Sequence, residues 1–268
     1  MSKYQGLARE PEIKHKFFRI ALALAALFAP PAFLSPAKAE VFVSRYDVRL
    51  AGMHMGEAII HTALGAKRYK VAVSADVGAL FINERIQSEV TGSRLGSKLT
   101  PEHFVMVMSG GEDRAVEIQF KGSAPQSMKF SPPLEELADR PPPLKAADLR
   151  GVLDPLSALL TASLKLAPSS NPCTSVLPIF MGQMRFDIHM HQSPAAQAQR
   201  EPGVAVCQAQ YIPIGDAAHA GEGGQFPAPE AVFVRLAKPN VWLLHRLSLP
   251  TPVGTVTVDR AETAVTGS

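Results

Sequence analysis

Tyr69-Lys70-Val71-Ala72-Val73-Ser74-Ala75-Asp76-Val77 decides the fold class of this chain. Tyr69, Val71, Val73, Ala75 and Val77 alternate with Arg68, Lys70, Ser74 and Asp76, and a strict period of two marks a strand with one buried face. The pattern recurs on both sides. Phe42, Ser44, Tyr46, Val48 and Leu50 alternate with Arg45, Asp47 and Arg49, and Val116, Ile118 and Phe120 alternate with Glu117 and Gln119. Gly52, Gly56, Gly65, Gly92 and Gly110-Gly111 punctuate these runs at short intervals, as an antiparallel meander requires. Strands are expected near 41–51, 56–64, 67–77, 82–92, 103–109, 113–121 and 126–130, with Met53-His54-Met55 as a hairpin turn.

The proline-rich stretch 131–145, with Pro132-Pro133 and Pro141 to Pro143, interrupts the sheet, because proline removes ladder donors. It leads into a helix expected over 155–166. Asp154 suits the N-cap and Pro155 the first helical position, and Leu156, Leu159, Leu160 and Leu164 form one apolar stripe that needs a sheet to cover. Further strands follow near 174–180, 183–191, 203–213, 230–237, 241–249 and 253–260, interrupted by the polar loops 192–202 and 215–229. The expected fold is mainly β: a curved or barrel-like antiparallel sheet of about a dozen strands, with one amphipathic helix plugging or covering its concave face.

Ahead of the first strand, Lys14, Lys16 and Arg19 precede the apolar stretch Ile20 to Phe28, then Pro30, Pro31 and Pro36, then Ala37-Lys38-Ala39. Basic flank, short apolar core and A-x-A site read as a secretory signal peptide spanning 1–39 and cut after Ala39. A membrane span needs about 20 apolar residues without such breaks. The expectation is a periplasmic protein of one β-rich domain, 40–268, with no transmembrane segment after cleavage. Six of the 27 basic residues and two of the 24 acidic ones lie in the leader, leaving 21 and 22 and a net charge of about −1. Nothing in that balance calls for nucleic acid. Cys173 and Cys207 are the only cysteines; in an oxidising compartment such a pair forms a structural disulfide.

Catalytic motifs are lacking: the sequence holds no G-x-S-x-G, H-E-x-x-H or P-loop, and no motif demands a cofactor. Arg185, Asp187, His189 and His191 share one face of a strand, and His189 and His191 are the weak candidates for a metal, no third ligand being named. Met53-His54-Met55 and Met106-Val107-Met108 offer soft thioethers suited to Cu(I), but the first reads as the hairpin turn and the second as core filler, since methionine also fills irregular cores. Trp242 opens a strand with little clean alternation, which is either buried on both faces or lines a cavity.

Several segments in order carry a resemblance: Tyr46-Asp47-Val48 through Gly52 and Gly56-Glu57-Ala58; Arg150-Gly151-Val152-Leu153-Asp154-Pro155-Leu156-Ser157-Ala158-Leu159-Leu160; Cys173; Arg185-Phe186-Asp187; Cys207 followed by Tyr211; and Leu249-Pro250-Thr251-Pro252-Val253-Gly254. With them the chain resembles the exported bacterial domain-of-unknown-function family 3108. Members often show Asp-Gly where this chain has Met181-Gly182. The resemblance implies an exported β-rich domain and supplies no activity.

The leading functional expectation is a non-enzymatic periplasmic protein that binds an apolar small molecule or lipid, or serves envelope maintenance, with Leu156, Leu160 and Trp242 lining the site. The alternative is a structural or protein-interaction β module with a filled core and an envelope protein partner. A metal-dependent hydrolase using His189 and His191 ranks third.

Overall fold

The computed structural model describes residues 39–79, 82–111, 113–133, 144–165, 171–194, 201–215, 227–237 and 240–266. The expected leader lies outside them apart from Ala39, as do most of the proline-rich stretch and large parts of both polar loops.

The alternating runs form the strands β1 (Glu40–Leu50), β2 (Met53–Leu64), β3 (Arg68–Ala79), β4 (Ile82–Leu95), β5 (Lys98–Ser109), β6 (Arg114–Phe120) and β7 (Pro125–Ser131). The helix α1 (Pro155–Ser163) and a 3-10 turn (Pro172–Thr174) follow, then β8 (Val176–Phe180), β9 (Arg185–Gln192), β10 (Val204–Ile214), β11 (Glu230–Leu236), β12 (Val241–Thr251) and β13 (Gly254–Thr266). All thirteen join one antiparallel sheet in the order β7-β6-β5-β4-β3-β2-β1-β13-β12-β11-β10-β9-β8. The first and last strands are therefore neighbours in the middle. The two edges, β7 and β8, are consecutive in the chain and joined by the segment that carries α1.

The sheet is curled but not closed. One core cluster unites Val116, Ile118 and Phe120 of β6 with Phe180 of β8 and Val241 and Leu243 of β12, so both ends of the sheet meet the same interior. The seam between the edges is filled by the connector: Leu153 pairs in parallel with Ile179 of β8, while the Val152 amide donates to the Ser123 carbonyl in the β6–β7 turn at 3.0 Å.

Two local differences from the sequence reading have clear causes. The first hairpin turns at Ala51-Gly52, both at positive φ (48° and 84°), the geometry of a tight two-residue turn that matches strand twist. Met53 to Met55 consequently already belong to β2. The helix stops at Ser163, with Leu164 as its C-cap, fully buried and donating its amide to the Leu160 carbonyl at 3.0 Å.

At its start α1 has the expected cap: the Asp154 Oδ1 accepts from the Leu156 and Ser157 amides, each at 3.0 Å. Its buried positions are Ser157, Ala158, Leu160, Ala162 and Ser163. Burial so far round the helix means it plugs the curl rather than lying on it. Leu160 and Leu164 join the cluster of the first half of the sheet, Ala158 and Ala162 that of the second.

Candidate functional site

Leu156 and Leu160 both face the interior, where with Ser44, Tyr46, Val71 and Leu243 they border a gap of about 30 Å³. That is room for about one water molecule, and ligand sites are commonly about 300–1,000 Å³. Trp242 does not border this gap. Its ring packs in the second cluster beside Phe233 and Leu244, with the Arg235 guanidinium 5.8 Å from its centroid. The four residues Val241 to Leu244 are all buried because β12 leaves β13 here: their ladder runs only from Arg246↔Asp259 to Thr251↔Gly254. A register shift opposite Val232 and Phe233 accompanies the departure and leaves His245 out of the pairing.

Beyond the helix the interior changes character. Along β1 the inward residues Phe42, Ser44 and Tyr46 are buried, whereas Val48 and Leu50, on the same face, are half-buried. Register carries that face across β2 and β3 through Ala58, Ala75 and Val77, and across β4 and β5 through Ile86 and Met108, with the Glu84 carboxylate of β4 opposite Val77. On the other side it runs through Val256 and Val258 of β13 to Leu247 and Leu249 of β12. All of these are half-buried. One end of the curl is thus packed around α1, and the other presents an apolar wall.

Where this wall reaches the seam, a groove of about 320 Å³ opens between β5–β7 and the β8–β9 turn. Met106, Met108, Met181 and Met184 line it with Val116 and Phe130, so four of the nine methionines of the chain face one space. Methionine is unbranched and polarizable, which suits a surface that adapts to its ligand. Met106 and Met108, read from sequence as core filler, both line this groove, and Met106 also packs against the first core cluster as that reading expects. Met184 and Phe130 were not singled out, and Met181 was noted only as a departure from the family pattern. The available signal was the placement of methionines at both 106–108 and 181–184, which only the curled topology brings together.

Titrating groups sit mostly outside the wall. The inner Tyr69 hydroxyl is 2.7 Å from Ser157 Oγ, tying β3 to the helix, and burial pushes its pKa above the ordinary range. Asp154 is fully buried, its Oδ2 has no partner, and burial raises its pKa to about 6. On the outer face Arg45 bridges Glu57 and Glu262 at 2.8 and 3.0 Å, and Arg49 and His54 hold the Asp47 carboxyl below its ordinary range.

His189 lies 4.0 Å from Asp187, which is engaged at 2.6 Å by Arg185. His191 is exposed. Among the described residues no group of three His, Cys, Asp or Glu is arranged to hold a metal ion. Cys173 and Cys207 are joined in a disulfide that ties the 3-10 turn to β10 across 34 positions. Among the described residues no helix is long and apolar enough to cross a membrane.

A family model described as a protein of unknown function, DUF3108, matches residues 45–259. The chain belongs to this family. Of the segments that carry the resemblance, 150–160 is the strip along β8 and the body of α1, Cys173 and Cys207 form the disulfide, and 249–254 is the β12–β13 hairpin in the middle of the sheet. Met181, at which the resemblance departs from the expected pattern, contributes to the groove. No curated protein and no solved structure matches the chain.

Proposed function

We propose that this protein is a periplasmic, non-enzymatic binding protein that holds an apolar chain, such as the acyl chain of a lipid, against the half-open inner wall of its sheet, in the service of the cell envelope. The observation that carries the reading is the apolar wall continuing past the helix and ending in the methionine-lined groove at the seam. Export is supported by the basic, apolar and A-x-A succession of residues 14–39 and by a disulfide, a bond that persists in oxidising compartments. Leu156 and Leu160 serve as the packed floor of the site rather than its wall, and Trp242 as part of the core behind it.

The wall is large enough to matter energetically. At about 0.8 kcal/mol per buried methylene, ten methylenes contribute about 8 kcal/mol, equivalent to a Kd of about 1 μM. The cost of immobilising the chain weakens that figure, so a carrier that loads and releases its cargo is the natural consequence.

Native mass spectrometry of the mature protein purified from the periplasm, followed by solvent extraction, tests the proposal. The expected result is a reproducible adduct that extracts as lipid and is lost in Met106→Glu, which places a charge on the wall. A clean apo mass for the folded wild type would overturn it. The tight packing around α1 favours a second reading, a β module that recognises an envelope protein, and the apo result would direct attention there.

A further inference from the structure

We infer that the ligand carries an anionic head group and that Arg260 is its anchor, an inference that rests on the binding function proposed above. Arg260 belongs to β13 and lies opposite Tyr46 of β1, on the inward side of the sheet. Tyr46 is the last fully buried inward residue of β1, and Val258, the next inward residue of β13, is half-buried. The guanidinium therefore stands at the boundary between the packed layer and the apolar wall. Its Nη1 is buried with no hydrogen-bond partner.

The neighbouring charges do not compensate it. Asp259 bonds to Arg246 and Glu262 to Arg45, on the opposite face. The Tyr46 hydroxyl donates to the Leu244 carbonyl at 3.0 Å and, raised by burial, stays neutral. Glu84, an inward-register carboxylate of the far wall, packs against Gly111 in the β5–β6 turn. Among the described residues no carboxylate lies within ion-pair distance of Arg260. The other deeply placed arginine, Arg185, shows what a satisfied site looks like: it bonds Asp187 at 2.6 Å and the Asp148 carbonyl at 3.0 Å.

A cation held partly out of water without a counter-charge is costly, and a guanidinium recognises carboxylate or phosphate through paired, charge-assisted hydrogen bonds. Set at the base of an apolar wall, it selects an anionic amphiphile with its head at Arg260 and its tail along the strands. A fatty carboxylate and a lipid phosphate both meet that chemistry.

Calorimetric titration of the full mature protein with dodecanoate, dodecyl phosphate and dodecanol tests the inference, alongside Arg260→Gln. Both anions should bind at least tenfold tighter than the alcohol, Arg260→Gln should erase that preference while leaving dodecanol affinity intact, and the better anion identifies the head-group class. Thermal melting supplies a second readout: removal of an uncompensated charge should raise Tm, whereas a structural ion pair would lower it. Equal affinity of the wild type for all three probes, or an unchanged anion preference in the variant, would overturn the anchor and leave the binding function standing. Absence of binding by any of the three would overturn the function on which the anchor rests.

Discussion

Asp154→Asn should change the pH dependence of stability in a defined direction. Asp154 caps α1 through Oδ1, which accepts both helix amides, while Oδ2 is buried without a hydrogen-bond partner. Burial therefore penalises the ionised form, and the pKa rises from 3.8 to about 6. An acid whose pKa is higher in the folded state binds more protons folded than unfolded between those two values. Stability is then greatest below pH 3.8, falls as pH rises to about 6, and is level above. At 1.36 kcal/mol per pH unit the fall is about 3 kcal/mol. Asparagine keeps the cap acceptor and does not titrate. Urea unfolding at intervals from pH 3 to 8 should show the wild type losing about 3 kcal/mol relative to the variant across that window. Asp47 and Glu117 titrate in the opposite sense, their carboxyls held below the ordinary range by Arg49 and His103 respectively, but both proteins share them and the comparison removes them. Parallel curves for the two proteins would refute the reasoning, because they would mean that Asp154 is hydrated in the folded state.

Gly92→Ala should destabilise the fold by about 2–4 kcal/mol in denaturant unfolding, from overpacking and the loss of a hydrogen bond. A β-carbon there would lie 2.4 Å from the Thr100 carbonyl oxygen and 2.6 Å from the Tyr69 ring, forcing the ring away from Ser157; unchanged stability would contradict that contact. Replacing Cys173 and Cys207 together by alanine should cost about 3–4 kcal/mol from loop-closure entropy, given the separation of 34 positions. Indistinguishable unfolding curves for the double variant and the wild type would count against the bridge as a stabilising element.

The strand content was legible because alternation needs only local information. Thirteen stretches with a period of two or a continuous apolar run became thirteen strands, and Asp154-Pro155 announced the start of the helix. What escaped depends on pairing. The strand expected near 253–260 ends at Arg260 and assigns that residue no role. Arg260 follows Val258 inward by simple alternation, and a register shift between Arg45 and Tyr46 leaves Ala261 unpaired, so that Glu262 points out with Asp259 instead of in with Arg260. A one-residue slip exchanges the two faces of a strand, and nothing local in the sequence fixes where it falls. Trp242 was ambiguous for a related reason: the burial of both faces of β12 follows from its departure from β13, a relation between distant segments. The groove needed the whole curl, since Met106 and Met184 are separated by the connector, α1 and β8.

Connectivity and length together explain why one end of the sheet is packed and the other is not. The chain runs around the sheet from β1 to β7, crosses the interior, and returns from β8 to β13 beside its own beginning. Among the described residues the crossing segment fills the concave side from within, and nine of its residues, those of α1, form an α-helix. At about 1.5 Å per residue such a helix is about 14 Å long. Strands such as β2, β3 and β5 have 12 residues each, and at about 3.3 Å per residue they reach about 40 Å. A plug a third the length of its barrel stave cannot cover the inner face of every strand. A sequence selected only for a packed core would turn polar past the plug, as outward positions do at Asp47, Arg49 and Asp76. Instead the inward positions stay largely apolar at Val48, Leu50, Val77, Val256 and Val258, with Glu84 on the far wall and Arg260 at the boundary, which is the surface expected of a wall built to meet something other than water.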